Sequence, residues 1–201
     1  MNATFELSAP IQIQGSALFS RERTIRREIR RWWVPGPKRW VAWLMTNPSD
    51  ASEARNDPTA MRVTNFSRSW GYDGWIGVNL VPFISSTTPA MWKWFDWESN
   101  GPDWAARDDL AANLDDIERV GRLAALRVVA FGAEPVVRCP EWRSQCIEAF
   151  GQPSDIDGSE TLHCIGETQS WEPKHPLARG KHRVPGSAWP VVWTGCALAP
   201  Q

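Results

Sequence analysis

The chain has 201 residues, a formal net charge of −1 and a sequence pI of about 6.3. That length suits one domain with a real core, and no global field drives such a chain onto a polyanion, so any nucleic-acid site must be a local patch. Its four cysteines form no CxxC pair, Met1 to Glu6 lacks a basic segment before an apolar core, and no apolar run approaches the ~20 residues a bilayer demands.

These features predict a single cytoplasmic domain, 1–201, with reduced thiols, no membrane span and a monomeric state. Residues 1–38 read as an N-terminal extension, with alternation at Ile11 to Gln14. From Ser20 a helix is predicted, because Ile25, Ile29, Trp32 and Trp33 recur at helical spacing. Its other faces carry Arg21, Arg23, Arg26, Arg27, Arg30 and Arg31, and Pro35-Gly36-Pro37 stops it. Such a helix is either a solvated surface or a phosphate contact, since guanidinium forks suit phosphate oxygens.

Trp40 to Met45 reads as the first central strand, followed by Asn47-Pro48-Ser49. Asp57-Pro58-Thr59 opens a helix, with Asp57 as N-cap and proline in the first turn; Gly71 ends it. The second strand starts at Trp75, is apolar on both faces as parallel strands are, and is interrupted by Asn79. Residues 84–102 show no clean periodicity and are expected to form a long binding loop around Trp92, Trp94, Trp97 and Trp104. A helix over 103–122 follows, then a strand at Val128 to Phe131, a helical stretch broken at Pro140, and a strand at Leu162 to Ile165. Trp189 to Trp193 supplies a last short strand. Strand and helix alternate, which predicts an α/β fold of three layers, αβα, with a mostly parallel central sheet.

In such sheets ligands bind beyond the carboxyl ends of the strands. Asn47, Asn79 and His175 are therefore expected to converge. Tryptophan is the compositional outlier, with 14 residues against one tyrosine, and its flat face stacks on bases as readily as it fills cores. Phe83, Trp92 and Trp94 are candidate pocket walls beside Pro48 and Ser49. Lys174, Leu177, Arg179, Lys181 and Arg183 cluster around the His175-Pro176 turn as candidate DNA contacts, with Arg26, Arg27 and Arg30 from the basic helix. The histidines and cysteines lack ligand spacing, so no metal is expected, and no GxGxxG or phosphate-loop lysine motif calls for a nucleotide cofactor.

Asn47-Pro48-Ser49, Asp57-Pro58-Thr59, Trp70-Gly71-Tyr72, Val78-Asn79-Leu80 and Lys174-His175-Pro176-Leu177 together resemble a bacterial and phage family of unknown function, from about Trp40 to Leu177. The order of motifs is more distantly similar to the uracil-DNA glycosylase superfamily, in its mismatch-specific branch. That resemblance implies a glycosylase-like fold. It implies that Asn47 positions water, Asn79 reads the base, and His175 stabilises negative charge on the departing base, with Leu177 near a DNA-inserting loop. The first loop lacks the usual glycine, and the last reads His-Pro-Leu-Ala rather than His-Pro-Ser; both depart from a uracil site.

An asparagine cannot accept a proton at neutral pH, so a carboxylate, Asp50 or Asp57, is the candidate base. Asp57 serves equally as a plain helix cap. The expectation is a monofunctional DNA glycosylase that removes a bulky modified base, one bearing a sugar for example, in anti-phage defence. The rivals are an N-glycosidase of free nucleosides or nucleotides and a non-catalytic module for modified nucleic acid or carbohydrate.

Overall fold

The computed structural model describes residues 12–20, 22–49, 51–100 and 107–195. Seven strands form one mixed sheet: β1 (Gln14–Phe19), β2 (Arg26–Trp32), β3 (Trp40–Met45), β4 (Gly74–Asn79), β5 (Leu126–Val129), β6 (His163–Cys164) and β7 (Val191–Val192). Their order is β1-β2-β4-β3-β5-β6-β7. The inner four, β4-β3-β5-β6, are parallel, while β1, β2 and β7 are antiparallel flanks. The expected α/β class holds, but the sheet is mixed rather than mostly parallel.

Strand alternation sorts the core to two faces. Val41, Trp43, Met45 and Trp75 pack with Val63 and Phe66 of α1 (Pro58–Ser69). Ala42, Leu44, Ile76 and Val78 pack on the other side with Ile117 and Val120 of α3 (Arg107–Leu123) and Cys146 and Phe150 of α5 (Pro140–Phe150). A third cluster joins α2 (Thr88–Asn100) to Leu110 and Cys139, the latter capping the short α4 (Glu134–Arg138).

Two expectations are overturned. The basic helix from Ser20 is strand β2, and the spacing explains the error: Ile25 and Ile29 lie four apart, which shares a face in either periodicity. What decides is the fate of the arginines, which a helix would leave in solvent. Arg31 donates to Asn56 Oδ1 at 2.7 Å, to the Arg55 carbonyl at 3.1 Å and to the Ser52 carbonyl. On the opposite face Arg27 pairs with Asp116 at 2.5 Å, and Glu28 takes Arg30 and Arg119. Burial disfavours the Glu28 carboxylate, yet the two guanidinia more than offset it and hold its pKa below the ordinary value.

The expected 84–102 loop contains helix α2. Pro89 sits in its first turn, where a missing N–H costs nothing, and Met91, Trp92 and Phe95 fall on one buried stripe. Trp104 lies outside the described residues.

Candidate functional site

The chain leaves β3 toward β4 on one side, then crosses back to β5 on the other. The crevice between the carboxyl ends of β3 and β5 is thus the topological switch point, the usual ligand position in open α/β sheets. Thr46 Oγ1 donates to the Phe131 carbonyl at 2.6 Å, tying the two strand ends together. Gly132, with φ of 75°, then turns so that its N–H meets the Pro173 carbonyl at 2.9 Å. That bond carries the His175-Pro176 turn to the same crevice.

Two cavities meet there. The smaller, about 30 Å³, is lined by Arg26, Asn47, Ser49, Asp57 and His175 over an apolar floor that includes Met45 and Trp75. The larger, about 600 Å³ and open to solvent, is lined by Gly132, Thr168, Ser170, Lys174, Arg179 and His182, again with His175. Among the described residues, His175 alone lines both. The first would hold a water and the second a ligand of nucleotide size.

Each polar group in the small cavity has a fixed orientation. Asn47 gives both Nδ2 hydrogens away, to Pro48 O at 3.0 Å and Ser85 O at 2.9 Å, which leaves Oδ1 as its free acceptor. Asp57 caps α1 through Oδ1, 2.6 Å from the Ala60 N–H, and its Oδ2 accepts from Ser49 Oγ. His175 Nδ1 accepts the Leu177 N–H at 3.1 Å, so the neutral ring carries its proton on Nε2. Burial lowers the His175 pKa, against a smaller opposing pull from the Asp57 carboxylate.

Of the three residues the strand-end argument expects to converge, Asn47 and His175 line the small cavity together, joined there by Ser49 and Asp57. Asp50 lies outside the described residues. Pro48 is buried and its carbonyl serves the loop, accepting from Asn47 and from the Ser85 N–H. Asn79 does not reach either cavity: it is buried at the end of β4, paired in register with Met45, and neither side-chain atom has a partner among the described residues. Trp92 belongs to the α2 core and donates Nε1 to Glu134 at 2.7 Å, while Trp94 stacks on Phe83 at 5.3 Å. None of these three aromatics lines the cleft: α2 packs Trp92 and Trp94 into the third cluster, where Phe83, bridged to Ile25, meets Trp94.

Arg26, Arg27 and Arg30 are not a surface stripe either, since β2 draws all three into interior contacts or ion pairs. The cations that do face the cleft are Lys174 and Arg179, with Lys181 and Arg183 close by in sequence and exposed. Among the described residues none of these four forms an ion pair with a carboxylate. Leu177 is exposed beside them.

Sequence reasoning missed Trp171. It is 62 % exposed, adopts φ of 61°, and follows Thr168, Gln169 and Ser170 of the cleft wall. A left-handed conformation costs a bulky residue roughly 1–2 kcal/mol. Its loop is nevertheless held firmly: Thr168 N donates to Glu172 O at 2.8 Å, Trp193 Nε1 to Trp171 O at 3.2 Å, and Arg143 pairs with buried Glu172 at 2.6 Å. Trp97 and Trp189 are as exposed, but the Trp171 loop also supplies part of the cleft wall. The other two histidines are His182, on the cleft wall, and His163, in β6.

The three described cysteines are free and buried. Burial pushes the Cys139 thiol up to about 11, which makes it a poor nucleophile at neutral pH. Among the described residues no helix is long and apolar enough to cross a membrane, and no group of three His, Cys, Asp or Glu side chains could hold a metal ion.

With the geometry in place, the motif set can be assigned. A family model described as a protein of unknown function, DUF1643, matches residues 26–177. The chain belongs to the DUF1643 family. No curated protein and no solved structure matches it significantly. The DUF1643 match begins at the first residue of β2 and ends two residues past His175, so it spans the whole of both cavities' catalytic candidates.

Proposed function

We propose that this DUF1643 protein hydrolyses an N-glycosidic bond in DNA, on a nucleotide turned out of the stack into the 600 Å³ cleft. The observation that carries the reading is the shared wall: Asn47, Ser49 and Asp57 surround a water-sized space, and His175 separates it from a nucleotide-sized one. The motif order similar to the uracil-DNA glycosylases supports the same reaction. In it Asn47 Oδ1 orients the attacking water and the Asp57 carboxylate receives its proton. His175 Nε2–H faces the leaving base, whose departure leaves negative charge behind.

Lys174, Arg179, Lys181 and Arg183 supply the phosphate contacts, and Trp171 replaces Trp92 and Trp94 as the stacking face. Asn79 is the base reader only if the end of β4 opens, since its amide is enclosed. An open cleft of about 600 Å³, with exposed Trp171 next in sequence to its wall and no glycine in the 45–49 loop, has room for a bulky modified base of the kind phages place in their DNA, and anti-phage defence is the role proposed for such an activity.

The test is incubation of purified protein with plain DNA and with DNA carrying hypermodified, including glycosylated, bases, followed by alkaline cleavage at abasic sites. Breaks confined to modified DNA are expected. Absence of breaks in every substrate ends the reading. Free nucleosides in parallel distinguish a nucleoside hydrolase, and so do Lys181→Glu and Arg183→Glu, exposed and outside the cleft lining, which abolish cutting of DNA but spare nucleosides.

A further inference from the structure

Arg26 is the unexplained group in the small cavity. It is 4 % exposed, and its Nη1 donates to the Ala51 carbonyl at 2.7 Å. Its Nε is buried with no partner among the described residues, although it lines the same space as Asn47, Ser49, Asp57 and His175. A buried guanidinium donor left unmade is costly, more so than a neutral one. Burial lowers the Arg26 pKa to about 10, and the Asp57 carboxylate is the nearest charge that opposes the fall. Arg26, Asp57 and His175 thus line one cavity.

The available groups define one occupant. A space of about 30 Å³ takes a water and excludes a base or a sugar. Asn47 Oδ1 is an acceptor with nothing bound, Ser49 Oγ spends its hydrogen on Asp57 and keeps lone pairs, and Arg26 Nε is a donor without an acceptor. One water satisfies donor and acceptors together.

We infer that Arg26 holds the attacking water, donating its Nε–H to that oxygen while Asn47 Oδ1 accepts one of the water's hydrogens. This deepens the glycosidase reading and rests on it for the chemistry. The water oxygen bonds to the anomeric carbon as the carbon–nitrogen bond breaks, and that electron pair leaves with the base toward His175 Nε2–H. The water proton passes through the Ser49 hydroxyl to Asp57, and from there to solvent once the product departs. Arg26 is thereby a reaction residue, whereas a phosphate contact would sit at the surface.

The two roles separate experimentally. Arg26→Gln and Arg26→Lys are measured for single-turnover base release and for DNA affinity across salt concentrations. The expected result is a fall in release of about 100-fold, in the range for loss of one oriented donor, with affinity within twofold and an unchanged salt slope. Release within threefold of the parent overturns the inference, and so does a loss that follows weakened binding with a shallower salt slope. A crystal structure of the full chain at high resolution decides the water without reference to activity. One ordered water bonded to Arg26 Nε and Asn47 Oδ1 is expected, and a dry cavity overturns the inference even if both variants misfold. If no DNA is cut by the parent protein while that water is present, the glycosidase reading fails and the water site stands.

Discussion

Asp57 does two jobs with its two carboxylate oxygens, and they respond differently to substitution. Asp57→Asn keeps an Oδ1 acceptor for the Ala60 N–H, so stability falls by less than ~1 kcal/mol, whereas Asp57→Ala loses the cap and costs about 1 kcal/mol. Both remove the proton acceptor, so base release falls at least 100-fold in each, read in single-turnover assays with denaturant midpoints alongside. Asn79 makes the opposite bargain. Both of its amide atoms are buried without partners among the described residues, so Asn79→Leu should raise the unfolding free energy read from urea melts by about 1–2 kcal/mol. A loss of base discrimination in the same variant marks Asn79 as a base reader; unchanged activity removes it from the site. The meeting of Asn47 and His175 at one cavity was legible from type and position alone, whereas the enclosure of Asn79 was not, because it depends on packing around the end of β4. Trp171 was not, because nothing local distinguishes an exposed tryptophan from the thirteen others. Trp171→Ala should weaken binding of an extruded base roughly 5–100-fold, equivalent to ~1–3 kcal/mol, and leave folding intact.

At the level of elements, β3, α1 and α3 were readable because each carries an unambiguous signal: an unbroken apolar run, a capping Asp-Pro pair, and a long stripe of period 3.6. Strand β2 was misread because its charges are buried, a fact that lives in α3 and in the 51–56 loop rather than in its own residues. Helix α2 hid behind four bulky aromatics with modest helix propensity and a serine- and threonine-rich approach. The arginines of β2 accordingly act as staples. Arg31→Ala removes a buried guanidinium that donates to Asn56 Oδ1 and to the Arg30, Ser52 and Arg55 carbonyls, and should cost about 1–3 kcal/mol. Arg30→Ala removes a part-exposed pair and should cost about 1 kcal/mol or less. Equal losses in urea melts would show that both faces of β2 are equally dry.

For the whole molecule, two histidines set the response to acid. Burial lowers the pKa of both His163 and His175 below the ordinary 6.5. The unfolded chain then binds more protons than the native one, so stability is complete above about pH 6.5 and declines as pH falls through the two lowered values. Melting temperature should drop between pH 7 and 5, and His163→Phe should flatten that drop without touching the cleft. His175 protonation also forfeits the bond from the Leu177 N–H, so base release should decline over the same window. The tryptophans carry a practical corollary. Trp43, Trp70, Trp75, Trp92 and Trp193 sit in dry surroundings, so the intrinsic emission of this protein is a blue-shifted gauge of unfolding. Any quench from a ligand at the rim will ride on that bright background, and an optical titration will need the inner indoles silenced or the fluorophore placed on the nucleic acid.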